Sequence, residues 1–239
     1  NPLEMTPDEL RATAINQRKN GKRFLIIGIC TLPFFVGILF LLLSATFYSA
    51  AKSNTKMADI KEREINTPIT RYVIFDFETN GLSPKTNRVI EIGALKIENG
   101  EVVDKFSTLV NPQRNLTKKI TDLTGITSEM LIDAPLEIDV FKEFANFAKG
   151  YMLTAYNVNF DIGFLDETLK RLGIPFGSVE YFDTMKIARQ NFKNVENYKL
   201  ETIMQSLNPD YIQNHRALDD CYAVKTILDR ITLTREVLS

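Results

Sequence analysis

The stretch RYVIFDFETNGL, residues 71–82, decides the fold class of this chain. Its residues alternate in character, and Val73, Phe75 and Phe77 point to one side of an extended chain. Ile74, Asp76 and Glu78 point to the other side. This alternation predicts a β-strand over Arg71–Phe77 that ends just before a turn.

Two more strands follow this first one. The segments Val89–Glu98 and Val102–Val110 flank Asn99-Gly100, a dipeptide that favours the tight turn of a β-hairpin. The rest of the chain alternates helical and short apolar segments, with helices predicted over Leu116–Leu123, Leu136–Lys149, Asp161–Leu172, Thr184–Phe192, Lys199–Leu207 and Arg216–Ile231, and strands over Met152–Ala155 and Val179–Phe182. Hairpin strands followed by interleaved helices predict an α/β fold with a mixed sheet and helices packed on it.

Composition excludes several classes of protein. The 239 residues allow one domain, or one domain with an appendage. The fractions of charged (25%) and hydrophobic (44%) residues are those of a globular protein and argue against wholesale disorder. The two cysteines, Cys30 and Cys221, lie too far apart for a zinc ribbon or a disulfide scaffold. His215 is the single histidine, which excludes mechanisms that need two imidazoles.

An apolar run, Phe24–Tyr48, stands apart from the rest of the sequence. It has 25 residues without a charge, and 19 of them are apolar. At about 1.5 Å per residue, one helix over this run would cross a hydrocarbon core of roughly 30 Å. The sequence therefore predicts a transmembrane helix over residues 24–48, and a cleavable signal peptide is the alternative.

The apolar run divides the chain into predicted segments. Residues 1–23 form a short basic segment, residues 49–68 a polar tether, and residues 69–239 the globular domain. Basic residues are denser just before the run than just after it, which favours a cytoplasmic N-terminus and an outward-facing domain, although this bias is marginal over wider flanks. The chain begins with Asn1 and not with methionine, which leaves open whether residues precede it.

Two carboxylates end the first strand. Because Asp76 and Glu78 are two residues apart in a strand, they point to the same face. Their like charges repel unless a cation lies between them, and carboxylate oxygens suit Mg²⁺ or Mn²⁺. Alone, the pair is also typical of a solvated strand edge.

Two later motifs carry polar side chains at helix starts. Asn157 and Asp161 lie where a strand runs into a helix, which is also ordinary helix-start chemistry. His215 precedes two acids at the start of the last helix. Helix geometry alone would pair His215 with Asp219, four residues on, and not with Asp220.

Together these three motifs resemble the DEDDh 3′–5′ exonucleases, the family of the proofreading subunit of bacterial DNA polymerase III. The resemblance covers residues 71–231, and further family-like stretches lie at residues 90–94, 123–127 and 182–184. It implies a ribonuclease H-like fold, in which a mixed five-stranded sheet carries flanking helices.

The resemblance also implies a site. Its metal ligands and catalytic acids would be Asp76, Glu78, Asp161 and Asp220, with the family spacing selecting Asp220 over its neighbour. His215 would be the general base, which takes a proton from water. The cofactors implied are two divalent cations, Mg²⁺ or Mn²⁺, which clamp the scissile phosphate.

The implied substrate is the 3′ end of single-stranded DNA or RNA, which would release 5′-nucleoside monophosphates. The residues expected to contact the terminal nucleotide are Thr79, Asn80, Gly81, Leu82, Tyr156 and Asn157. Leu82 as a plain core residue is the alternative. Tyr156 stands where many relatives have histidine, so we expect altered nucleotide contacts.

The sequence thus predicts a membrane-anchored, metal-dependent 3′–5′ exonuclease. The alternative is a catalytically idle relative that binds nucleic acid or protein at a membrane. Residues 67–239 carry 20 basic and 24 acidic residues, which favours weak, distributive trimming over tight binding. The resemblance favours a cytoplasmic catalytic domain, against the flanking charges. The polymer, the oligomeric state and protein partners stay open.

Overall fold

The computed structural model describes residues 5–30 and 34–233, without the side chains of residues 24–30, 34–41 and 63–66. The chain divides into two compact units, with the boundary between Thr67 and Pro68. Each unit has its own interior.

The first unit is a pair of antiparallel helices, α1 (Pro7–Cys30) and α2 (Phe34–Asn66). Helix α1 begins with a capping box, because Glu9 N donates to Thr6 Oγ1 and Thr6 N donates to Glu9 Oε2. The side chains buried where the two helices meet are small or apolar: Leu10, Ala14, Ala51 and Ala58.

The apolar run does not form the single helix that the sequence predicts. Helix α1 ends at Cys30 and α2 begins at Phe34, so two antiparallel helices share the run; residues 31–33 lie outside the described residues. None of the helices within the described residues combines the length and apolar character that crossing a membrane requires. The predicted transmembrane helix over residues 24–48 and the predicted single-pass membrane location are therefore wrong. Membrane binding through these residues is not supported, and the predicted orientation at a membrane falls with the location.

The segment predicted to be a polar tether, residues 49–68, also differs from expectation. Most of it belongs to α2, which continues to Asn66. Its polar residues help to hold the helix pair, since Asn54 Nδ2 donates to Gln17 Oε1 at 3.0 Å and Arg11 pairs with Asp59 and Glu62.

The second unit is built on a five-stranded sheet in the order β3-β2-β1-β4-β5. The strands are β1 (Arg71–Thr79), β2 (Val89–Glu98), β3 (Glu101–Leu109), β4 (Met152–Ala155) and β5 (Tyr181–Asp183). The pairs β1–β2 and β2–β3 are antiparallel, and the pairs β1–β4 and β4–β5 are parallel. The predicted mixed sheet is therefore confirmed.

Seven helices of this unit lie within the described residues. They are α3 (Lys118–Thr124), α4 (Ser128–Ile132), α5 (Glu137–Ala148), α6 (Val158–Leu172), α7 (Thr184–Asn191), α8 (Leu200–Leu207) and α9 (Ala217–Leu228). Six of them match predicted helices within three residues at each end. The short helix α4 was not predicted.

The sheet separates two hydrophobic clusters, and the alternation in β1 explains why. Val73, Phe75 and Phe77 pack on the face covered by α5 and α6, against side chains such as Phe144. Ile74 lies in the other cluster with residues of α8 and α9. Since side chains alternate along a strand, Asp76 and Glu78 lie on the α9 face of the sheet.

Candidate active site

The end of β1 supplies two acids on one face of the sheet. Asp76 pairs with Gly93 of β2 and Glu78 with Glu91, and the register shifts between Glu78 and Thr79. A register shift of this kind ends regular pairing and re-aims side chains. The two carboxylates therefore lie where the sheet gives way to the following loop.

Helix α6 brings a third acid to the same place. Asp161, in its first turn, is buried, and its Oδ1 accepts a hydrogen bond from Phe77 N at 3.0 Å. This bond ties α6 to β1 at the residue between Asp76 and Glu78. The predicted helix start at Asp161 was three residues late, because α6 begins at Val158.

Helix α9 brings the fourth acid and the histidine. His215 lies two residues before the helix, in the left-handed region with φ 51°. The i, i+4 geometry therefore does not apply to it. Asp220 is buried. The carboxylates of Glu78 and Asp220 and the ring of His215 each offer one ligand atom, and these three atoms all lie within 4.8 Å of one another.

The neighbouring acid is held differently. Asn214 Nδ2 donates to Asp219 Oδ2 at 2.8 Å, whereas Gln213 Nε2 donates to Asp220 Oδ2 at 2.6 Å. Asp219 is not among the residues that line the cleft, but Asp220 is. The structure thus places Asp220 at the cleft, whereas helix periodicity alone favours Asp219.

All five predicted catalytic residues line one cleft of about 360 Å³. Its lining within the described residues is Asp76, Phe77, Glu78, Tyr156, Asn157, Phe160, Asp161, Leu200, Gln213, His215 and Asp220. Two of the six predicted nucleotide contacts, Tyr156 and Asn157, are therefore in the cleft, and residues 79–82 are not among its lining residues. Sequence reasoning missed the apolar wall formed by Phe160 and Leu200.

The loop after β1 presents Leu82 to solvent. Asn80 fixes the loop, because Arg88 N donates to Asn80 Oδ1 at 2.8 Å and Asn80 N donates to Arg88 O at 3.0 Å. Thr79 is buried, and its hydroxyl donates to Gly81 O at 2.7 Å. Leu82 is 85% exposed, so the alternative that it is a core residue is wrong.

Tyr156 is held by its hydroxyl group. The ring is buried at the cleft wall, and the hydroxyl donates to Tyr198 O at 2.8 Å. Burial raises the pKa of this phenol above its usual range. The side chain therefore serves as a neutral wall of the cleft.

The acids share an environment that disfavours their charge. Burial, followed by the charges of Asp161 and Glu78, raises the pKa of Asp76 well above its usual value. Burial and the charge of Asp220 raise the pKa of Glu78 to about 8, and burial raises the pKa of Asp161 to about 8. Burial also raises the pKa of Asp220 to about 6. Converging carboxylates of this kind need a counter-charge to be ionised together.

A divalent cation fits this set of side chains. Asp220 Oδ1 is buried and accepts no hydrogen bond from any described residue, so one lone pair in the cleft is left for another partner. The candidate ligands are hard carboxylate oxygens, the kind of ligand that Mg²⁺ and Mn²⁺ prefer.

Behind the cleft, β2 holds the start of α9. Glu91 is buried and accepts bonds from Arg216 Nε and from Ala217 N, both at 3.0 Å. At Gly93, a Cβ would lie 2.3 Å from the backbone of Ala217 and Leu218, so only glycine allows this approach. The sequence signal of this role was an acid and a glycine inside an apolar strand.

The part of the chain that contains the cleft matches a known protein family. A family model described as "Exonuclease" matches residues 73–228, which contain β1, the cleft and α9. The chain belongs to the exonuclease family. The predicted resemblance and the prediction of an exonuclease enzyme are thereby confirmed.

Relatives in sequence are DNA polymerases of one type. The chain is 42% identical over 156 residues to the DNA polymerase III PolC-type of Caldanaerobacter subterraneus subsp. tengcongensis, covering 65% of this chain and 11% of that protein. It is 37% identical over 158 residues to the same polymerase type of Bacillus subtilis, covering 66% and 11%. The chain thus spans about a tenth of the length of these relatives.

Solved exonuclease structures share the fold. E. coli exonuclease I in complex with a dT13 oligonucleotide has a TM-score of 0.61 and 16% identity, over 70% of this chain and 42% of that one. Exonuclease X in complex with 5′ overhanging duplex DNA has a TM-score of 0.53 and 27% identity, over 70% and 96%. These matches confirm the predicted ribonuclease H-like architecture of the second unit.

Proposed function

We propose that this protein is a metal-dependent 3′–5′ exonuclease that removes 5′-nucleoside monophosphates from single-stranded DNA. The observation that carries the proposal is the convergence of four acids and the single histidine in one cleft of an exonuclease-family fold. Four carboxylates that are buried or half-buried are costly to keep together, and a role for them in binding cations offsets that cost.

The similarity to the proteins named above supports single-stranded DNA as the substrate of this chain. The similar sequences belong to DNA polymerases, and the similar structure of exonuclease I holds a dT13 strand. The cleft itself is narrow and acidic, with Phe160 and Leu200 as apolar surface for a base. The exposed Leu82, on the loop after β1, offers a further apolar contact.

The residues divide the chemistry among them. In this proposal Asp76, Glu78, Asp161 and Asp220 hold two divalent cations, Mg²⁺ or Mn²⁺, and a zinc-bound form of the E. coli exonuclease I–ssDNA complex shows that this fold admits a metal ion. When bound, such cations stabilise charge on a scissile phosphate and lower the pKa of water.

His215 takes the part of general base. It lies outside α9 in the left-handed region, beside Glu78 and Asp220, and histidine is the side chain that most often serves as a general base in enzymes. We expect His215→Ala to slow cleavage by about 10²- to 10⁴-fold. Tyr156 and Asn157 bound the cleft where the terminal nucleotide would lie.

The test uses the full chain with a 5′-labelled DNA strand and an RNA strand of the same length and sequence. With Mg²⁺ or Mn²⁺, the DNA label should move into a ladder that shortens from the 3′ end in single-nucleotide steps. EDTA should abolish the ladder. RNA should be cut more slowly.

A matched pair of variants controls for folding. Asp76→Asn removes a charge from the cleft, whereas Asp104→Asn removes one from exposed β3, where Asp104 pairs with Lys96 and accepts a hydrogen bond from Lys105 N. The proposal predicts loss of the ladder in the first variant alone. A folded protein that binds the strand without cutting it, or that releases the 5′ label first, would contradict the proposal.

A further inference from the structure

We propose that the helix pair α1–α2 carries a second nucleic-acid site, a basic groove that binds the phosphates of a single DNA strand. The choice of DNA as its ligand rests on the proposed function. The groove is lined by Ile15, Arg18, Lys19, Lys22, Tyr48 and Lys52. It lies within the first unit.

The groove follows from helix periodicity. Residues 15, 18, 19 and 22 have the spacing i, i+3, i+4, i+7, so they share one face of α1. Tyr48 and Lys52 are four residues apart and share the facing side of α2. Gly21 lets the helices approach here, since a Cβ on it would lie 3.1 Å from the Tyr48 ring.

Within the part of the chain that the structure describes, the cations of the groove have no acidic partner. Elsewhere in the same helix pair, Arg11 is neutralised by Asp59 and Glu62. Among the described residues, no acid lies within ion-pair distance of Arg18, Lys19, Lys22 or Lys52, and all four are exposed. Like charges four residues apart on a helix destabilise it, so an anion in the groove would stabilise the helix pair.

The shape of the groove favours a chain of phosphates over a single anion. Arg18 and Lys22 lie about 6 Å apart along the axis of α1, given a rise of about 1.5 Å per residue. Lys52 adds a third position from α2. The half-buried Tyr48 ring also lines the groove and offers a surface for base stacking, which together with cations is the usual way to hold a single strand.

The groove also complements the second unit in charge. Residues 67–239 have four more acids than bases, whereas residues 1–66 have nine bases and six acids. A strand that is trimmed at its 3′ end needs phosphate contacts that the acidic unit supplies poorly. The basic groove would retain the strand between cleavage steps.

The test measures binding of a fluorescent oligothymidylate to the full chain in EDTA, where no cleavage occurs, as salt is raised. The double variant Lys22→Gln/Lys52→Gln removes two groove cations and keeps good helix formers. Because each phosphate contact contributes about 0.7 to the salt slope of single-strand binding, the slope should fall by about 1.4 and the affinity on the order of 10-fold.

The matched control is Lys56→Gln/Lys105→Gln, which removes two exposed lysines outside the groove. This control should bind as the wild type does, and both variants should cut a very short strand at the wild-type rate. An unchanged salt slope in the groove variant, or an equal loss of affinity in the control, would overturn the proposal of a DNA-binding groove. The proposed exonuclease function would not be affected by either result. Binding of anionic lipid vesicles that depends on Lys22 and Lys52, without any effect on DNA binding, would also overturn it.

Discussion

Glu91 of β2 and Arg216 ahead of α9 form a two-pronged ion pair behind the cleft: Nε and Nη2 of Arg216 donate to Oε1 of Glu91 at 3.0 and 2.5 Å. The same carboxylate accepts a hydrogen bond from Ala217 N, the first residue of α9. One buried carboxylate therefore fixes the start of the helix that carries Asp220, next to His215.

Removing this carboxylate should destabilise the second unit. Glu91→Ala leaves Ala217 N and the guanidinium without their acceptor, and we expect a loss of about 1–3 kcal/mol in the free energy of unfolding. Chemical denaturation of the full chain measures it. Asp122→Ala is the control, because Asp122 pairs with Lys118 on an exposed helix and should cost less than about 1 kcal/mol. Equal losses in the two variants would contradict the structural role of Glu91.

Adding one methyl group to β2 should displace α9. In Gly93→Ala the new Cβ would meet the backbone of Ala217 and Leu218, and the helix must move. Displacing catalytic groups by about 1 Å can cost on the order of 10²-fold in rate, and we expect a loss of that size in kcat.

The control for this change is Gly163→Ala on α6. A Cβ there meets nothing closer than Pro84 at 3.8 Å, and alanine favours a helix. This variant should keep its activity and gain slight stability. Full activity in Gly93→Ala would show that α9 can shift without harm to the cleft.

Gln213 should affect how well Asp220 binds a metal ion. Its amide donates to Asp220 Oδ2, and this bond lowers the pKa of a carboxyl that burial raises. Gln213→Ala removes the bond, so we expect activity at limiting Mg²⁺ to fall by about 10- to 100-fold, the usual cost of losing a group that orients a ligand. Rates measured against Mg²⁺ concentration test this. Asn214→Ala, which loses the same kind of bond to Asp219, should change the rate little.

The stability of the metal-free protein should fall as pH rises. Glu78, with an ordinary pKa of 4.5 and a raised pKa of about 8, binds more protons in the folded than in the unfolded state across that interval. Folding is therefore favoured at the acidic end and weakened as pH rises through about 8. Melting temperatures in EDTA should decrease from about pH 5 to about pH 8, other groups being equal.

Divalent cations should reverse this trend, because they neutralise the same carboxylates. The rise in melting temperature on adding Mg²⁺ or Mn²⁺ should be larger at the alkaline end. Asp76→Asn removes one charge from the cluster and should itself stabilise the metal-free protein there. A cation effect that is the same at both ends of the pH range would count against a cation site among these acids.

The sheet and the first two acids could be read from the sequence for a simple reason. The alternation of Val73, Phe75 and Phe77 assigns the other face of β1 to Asp76 and Glu78, and strand geometry leaves no other choice. The strands and most helices carry local signals of this kind.

The rest of the site depends on contacts between segments distant in sequence. Helix periodicity favours Asp219 over Asp220, because it cannot show that α9 begins after a left-handed His215. Gln213 lies in a loop whose path is set by tertiary contacts. The apolar run was misread because composition does not reveal that it is divided between α1 and α2.

The most direct test of the account compares Asp220→Asn with Asp219→Asn on a 5′-labelled single-stranded DNA at saturating Mg²⁺. The two variants make the same charge change one residue apart, on an acid that lines the cleft and on one that does not. Because losing a group that merely orients a ligand costs about 10- to 100-fold, Asp220→Asn should slow 3′-end removal by more than about 100-fold, and Asp219→Asn should stay near the wild-type rate. Equal rates in the two variants would contradict the assignment of the acidic cleft as the active site.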